Sequence, residues 1–159
     1  EFPGKRMNLK YKSAEFIGTV GYVGYLPIAP GTWGSLAALI GWYLLKPMLS
    51  DPLFLLITGA IFFVGVAASE ILVEAWEDVD PKAVVVDEWV GMWIALYLVP
   101  HTLIWGLIAF FLFRFFDIFK PGPIQLMDDL HSAIGVMMDD VVAGIFALFL
   151  TQSLLYFFI

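Results

Sequence analysis

Between positions 53 and 73 the chain carries one charged side chain, Glu70, in a run that otherwise reads LFLLITGAIFFVGVAAS and then ILV. About 20 such residues are enough to cross the hydrocarbon core of a bilayer as a helix. In that layer a backbone must pair its own N–H and C=O groups within the segment, which dictates helix over open strand. Four more apolar segments, at about 34–48, 87–99, 102–119 and 139–159, are separated by Pro, Gly and charge. The 87–99 segment is short, so it either crosses part of the layer or packs against other helices. With 61% hydrophobic and 14% charged residues, the whole chain departs from soluble-domain usage. The expected fold is therefore all-α, a multi-pass integral membrane helix bundle of about five main helices. Before them, 11–30 is rich in Gly and aromatics (Gly18, Gly21, Tyr22, Gly24, Tyr25) and reads as a short interfacial helix or an irregular lead-in.

Glu1 to Arg6 precede Met7, which reads as an initiator, so 1–6 are expected to be a cloning remnant and 7–159 a single membrane-embedded domain. With no cleavable signal following, the spans themselves are expected to direct insertion. A net charge of −7 argues against a nucleic-acid partner. The absence of Cys excludes disulfides, thiolate metal sites and a cysteine nucleophile. The 15 Phe, 6 Trp and 6 Tyr fit lipid contact and interfacial anchoring, so the bilayer is the expected partner and no obligate protein partner is indicated.

If the five segments alternate in direction, the starts of the first, third and fifth share a face with the ends of the second and fourth. That face collects 30–35, Asp87, Glu88, Arg114, Asp117, Lys120, Asp128, Asp129, His131, Asp139 and Asp140, whereas the other receives Lys46, Asp51 and His101. Lys10, Lys12 and Lys82 also fall on the rich face, which the positive-inside tendency makes cytoplasmic, leaving the C-terminus outside.

Asp87 with Glu88 and Asp139 with Asp140 each open an expected helix, where acidic residues are favourable for the helix dipole alone. Spacing adds a second reading. Asp87, Gly91 and Ala95 recur every four residues, as do Asp139, Ala143 and Ala147, so each Asp heads a stripe of small residues suited to close packing. Inward carboxylates brought together repel unless protonated or bridged by a cation, and oxygen ligands without Cys point to Mg²⁺, with Mn²⁺ able to substitute. Arg114 and Asp117, at i and i+3 in a Phe-rich helix, read either as an ion pair with Lys120 snorkelling nearby or as phosphate-binding groups. PGTWGS at 30–35 reads as a capped turn or as a helix start whose N–H groups take an anion. His131 reads as a hydrogen-bonded loop residue, and Glu70, Glu74 and Glu77 as a solvated stripe.

Three blocks then carry a family likeness: PGTWGS at 30–35, VVVDEWVGMW at 84–93 and FRFFDIFKPGPIQLMDDLHSAIGVMMDD at 113–140. Together they resemble the phosphatidylglycerophosphatase A family, with DE, FR-x-x-D-x-x-KP-x-P and G-x-x-x-DD elements in family order. The resemblance implies a Mg²⁺-dependent lipid phosphatase of the bacterial inner membrane that acts on phosphatidylglycerophosphate from the cytoplasmic side. It implicates Asp87, Glu88, Arg114, Asp117, Lys120, Asp128, Asp139 and Asp140 in catalysis. Within that set our assignment gives the metal to Asp87, Glu88, Asp139 and Asp140, and the phosphate or lipid head to Gly31, Thr32, Gly34, Ser35, Arg114 and Lys120. The nucleophile is either water or a carboxylate. Of the rivals, a CDP-alcohol phosphotransferase shares the G-x-x-x-D fragment at Gly135 and Asp139 but lacks the upstream D-G-x-x-A-R segment. A cation transporter would string its charges along a path rather than gather them on one face.

Overall fold

A computed structural model describes residues 9–78, 81–128 and 132–159, and among these every regular element is helical. In chain order they are α1 (Leu9–Gly18), α2 (Pro30–Leu45), α3 (Asp51–Trp76), α4 (Val86–Ala95), α5 (Leu103–Phe119), α6 (Pro123–Asp128) and α7 (Ala133–Phe158). Single 3₁₀ turns lie at Val23–Tyr25 and Lys46–Met48.

The helix starts follow local chemistry. Ser50 accepts a hydrogen bond from the Leu53 N–H at 3.3 Å to cap α3, Thr102 accepts from Trp105 at 3.3 Å to cap α5, and Ser132 accepts from Gly135 at 3.2 Å to cap α7. Pro30 and Pro52 occupy first-turn positions, where a missing N–H costs nothing. At the other end of α5, Lys120 turns left-handed and Pro121 forbids continuation. α7 thus begins at Ala133, six residues before the expected 139, because the run after Ser132 contains no breaker. Asp139 and Asp140 lie in its second turn, where the helix dipole no longer explains them.

Two helices, α3 and α7, are long and apolar enough to cross a membrane, at 26 residues each. α2 and α5, with 16 and 17 residues, reach only about 24–26 Å at 1.5 Å per residue. Of the about five main helices expected, some of them short for a full span, two pass the length and composition needed to cross, and shorter helices pack around them. Phe63, Phe111, Phe149 and Leu56 stand exposed on α3, α5 and α7, an apolar surface that fits membrane association.

At the centre is α4, of whose ten residues eight are buried. It packs most extensively on α7, where both helices have glycine. A Cβ on Gly91 would sit 2.6 Å from the Asp140 carbonyl oxygen, and one on Gly144 would sit 2.4 Å from the Gly91 carbonyl oxygen. Trp93 fills the far side of α4, stacked on Phe54 at 4.6 Å and donating its indole N–H to the Ala38 carbonyl at 2.9 Å. A second core, of Leu72, Val84, Val86 and Met137, lies under α1.

Candidate active site

Four helix ends meet at one end of the bundle. The first turn of α4 brings Asp87 and Glu88, and the last turns of α5 bring Arg114, Asp117 and the capping Lys120. The second turn of α7 adds Asp139 and Asp140, and the first turns of α2 add Gly31 and Ser35. All five carboxylate residues are buried, Asp140 to 1% exposure. Arg114 bridges two of them, with Nη1 donating to Glu88 Oε2 at 3.0 Å and to Asp117 Oδ2. Lys120 Nζ donates to Asp139 Oδ2 at 2.8 Å and lies 3.7 Å from Asp117 Oδ1. Burial works against the Lys120 charge, but the hydrogen bond and charge of Asp139, with Asp117 and Asp140 behind it, outweigh that penalty and hold its pKa above the ordinary lysine range.

Five buried carboxylates thus face two cations among the described residues, an imbalance that a low-dielectric pocket relieves either by protonating some of the acids or by taking up a further cation. Asp87, Glu88 and Asp140 each offer an oxygen within 4.8 Å of the others, and so do Asp117, Asp139 and Asp140. Asp140 belongs to both groups, and its Oδ2 is buried without a hydrogen-bond partner among the described residues. A hard, oxygen-only donor set with an orphaned carboxylate oxygen fits Mg²⁺ or Mn²⁺.

The family description of phosphatidylglycerophosphatase A matches residues 16–155 of this chain. The chain belongs to the phosphatidylglycerophosphatase A family. A Haemophilus influenzae protein named phosphatidylglycerophosphatase A is 39% identical over 84% of the chain and 83% of its own length. The Escherichia coli protein of the same name is 37% identical over 84% and 76%. A Bacteroides thetaiotaomicron protein named "Putative phosphatidylinositol-3-phosphatase" is 43% identical over 84% and 88%. No solved structure is significantly similar to the chain.

The phosphatidylglycerophosphatase A blocks do not all contribute as expected. In PGTWGS, Gly34 faces Val85, whose Cβ would be 2.8 Å from an added methyl, so this glycine serves the close approach of α2 to the start of α4. Ser35 is fully buried, its Oγ lying 2.9 Å from the Gly31 carbonyl oxygen, the nearer acceptor for its hydroxyl, and 3.3 Å from Glu88 Oε2. Gly31 and Thr32 are half-buried at the rim. A Cβ on Gly31 would come within 2.8 Å of Glu88 Oε1 and 3.3 Å of Arg114 Nη1, so glycine here lets α2 close over that pair. The Asp128 side chain and all of His131 lie outside the described residues. Glu70, Glu74 and Glu77 are exposed, as expected of a solvated stripe. Sequence reasoning missed Gly144, although it stands one turn after Asp140 just as Gly91 stands one turn after Asp87; the signal was that repeated Asp-to-Gly spacing.

Proposed function

We propose that this chain hydrolyses the phosphate monoester of phosphatidylglycerophosphate, giving phosphatidylglycerol and inorganic phosphate, as a Mg²⁺-dependent enzyme of the bacterial inner membrane. The observation that carries the reading is the convergence of Asp87, Glu88, Asp117, Asp139 and Asp140 with Arg114 and Lys120 at one end of a phosphatidylglycerophosphatase A family member. Asp87, Glu88, Asp139 and Asp140 would hold Mg²⁺, with Asp117 within reach of the same oxygens. When bound, the ion supplies charge neutralisation at the phosphate and polarisation of the attacking group.

The chain's own side chains do the rest. Arg114 presents a planar guanidinium that suits two phosphate oxygens at once, and Lys120 adds a compact positive charge. Both are preoriented by carboxylates, so little reorganisation is needed as charge builds on the transferring phosphoryl group. A water oxygen, or one of the carboxylates ahead of water, attacks phosphorus; the P–O bond to the lipid glycerol breaks and the alcohol takes a proton. Gly31 and Thr32, at the rim beside Arg114, are the residues of the 30–35 block still open to the lipid head. α3 and α7 cross the bilayer while α2 and α5 enter with tilted or partial spans, making the protein multi-pass. The site end faces the cytoplasm, where Lys10, Lys12 and Lys82 also lie. The acyl chains of the substrate then stay in the membrane while its head reaches the carboxylates.

Purified protein should release phosphate from phosphatidylglycerophosphate with Mg²⁺ and fall to background in chelator. Phosphatidylinositol 3-phosphate belongs in the same assay, because the relative named for that activity is as similar as the others. Hydrolysis of the inositol lipid alone would reassign the substrate, and hydrolysis of neither would reject the reading.

A further inference from the structure

We propose that residues 22–33 form a foot that seats in the acyl–headgroup boundary of a phospholipid bilayer beside the candidate site, with Ile28 as its inserted side chain; the inference takes from the proposed function only that the site receives a membrane lipid. Ile28 is the residue that demands an explanation. Its φ is +65°, the left-handed region that is least favourable for a β-branched side chain, and it is 89% exposed. Val20 is also left-handed, at φ +53°, but packs against the core under α1, so its strain is offset inside the fold. For Ile28, 89% exposed, no packing among the described residues provides that offset, and burial in a lipid layer would.

The segment is built to hold such a residue out. A Cβ on Gly24 would lie 1.8 Å from the Ala83 carbonyl oxygen, so the turn is clamped to the chain entering α4. Gly24 N–H donates to the Thr19 carbonyl at 2.9 Å, Tyr22 N–H donates to Thr19 Oγ1 at 3.0 Å, and Thr19 itself is fully buried. Trp33 Nε1 donates to the Pro27 carbonyl at 3.1 Å, which ties the loop to the first turn of α2. The same segment exposes the side chains of Tyr22, Tyr25, Leu26 and Trp33, with Tyr22 and Tyr25 stacked at 6.2 Å. Tyr and Trp have the apolar body and polar tip that favour the membrane–water boundary. The patch ends on the site wall, since Trp33 is two residues from Gly31, which abuts Glu88 and Arg114. A foot at that depth would set a lipid phosphate level with the carboxylates.

The chain contains no Cys, so Ile28→Cys and, as an exposed comparison, Glu77→Cys each give one labelling position. Each would carry an environment-sensitive fluorophore in vesicles of phosphatidylcholine and phosphatidylglycerol, with nitroxide on the upper acyl chain of a fraction of the lipids. The expected result is blue-shifted emission and several-fold stronger nitroxide quenching at 28 than at 77. Water-like emission at 28, or a blue shift that lipid nitroxide leaves untouched because another protein surface covers the patch, would overturn the proposal. In parallel, Ile28→Gly should raise the thermal midpoint in detergent, by relieving the left-handed strain, while raising KM several-fold for vesicle-embedded substrate at unchanged kcat. Depth is read without turnover, so a protein inactive on phosphatidylglycerophosphate would sink the proposed function and leave the depth result to decide this inference.

Discussion

Replacing Gly144 by alanine places a methyl group where the two carboxylate-bearing helices touch. The new Cβ would start 2.4 Å from the Gly91 carbonyl oxygen. Ordinary C···O contacts begin at roughly 3.3–3.6 Å, so α4 and α7 must separate by about 1 Å. Neither side can yield by rotating a side chain, since the obstacle is backbone. Overpacking of this kind costs about 1–3 kcal/mol, offset by up to ~1 kcal/mol from the better helix propensity of alanine. A net loss of about 1–2 kcal/mol corresponds to roughly 2–8 °C in the thermal midpoint of a chain this long. The functional effect should be larger. Gly91 is one turn from Asp87 and Gly144 one turn from Asp140, so the separation is transmitted to the paired carboxylates; misplacement by about 1 Å can cost on the order of 100-fold in turnover. Phosphate release measured well below the midpoint, beside a thermal melt, separates the two effects. Gly59→Ala is the control, because nothing lies within 4 Å of its Cβ, and it should keep full activity with an equal or higher midpoint. Wild-type turnover and an unchanged midpoint in Gly144→Ala would refute the close-contact argument.

Arg114→Lys should keep the charge but lose the guanidinium whose Nη1 bridges Glu88 and Asp117 and whose planar face suits phosphate, lowering phosphate release by at least about tenfold at saturating Mg²⁺; full activity would leave Arg114 as a structural neutraliser of those acids. Asp87→Asn and Asp139→Asn should both abolish turnover, yet their metal-free melts should diverge. The first removes a carboxylate from a crowded cluster and should hold or raise the midpoint, whereas the second takes from Lys120 its 2.8 Å partner and should lower it. Equal Mg²⁺-induced midpoint shifts in Asp87→Asn and the unmutated chain would argue against a shared metal. Lys46→Ala, at the opposite end, breaks a 2.9 Å pair with the exposed Asp51 and should cost under about 1 kcal/mol with no change in turnover, which a melt and the same assay can check.

What the sequence determined by itself is local and chemical. Apolar runs fix the helices, because a hydrocarbon layer admits little else, and the i, i+4 pattern Asp87–Gly91–Ala95 was enough to aim one face of α4 at a neighbour. The residue types of the site were equally legible, as buried-looking carboxylates beside Arg114 and Lys120 in three family blocks. Boundaries were less so. The start of α7 at Ala133 depends on the Ser132 cap outweighing the polar flavour of the preceding loop, and helix length rather than hydrophobicity singles out α3 and α7, among the described residues, as long and apolar enough to cross a membrane. Only the tertiary structure decided who touches whom. Ser35 read as a ligand-facing cap, yet it is buried beside the α2–α4 contact at Gly34 and Val85, its hydroxyl 2.9 Å from the Gly31 carbonyl oxygen and 3.3 Å from Glu88 Oε2. Asp140, read as equal to Asp139, became the shared member of both oxygen groups because Gly91 and Gly144 let the helices meet at backbone distance. Sequence spacing gives the angle at which a side chain leaves its own helix. The distance to the next helix is set by the smallest residues at the crossing, which sit on separate segments and act only once the chain is folded.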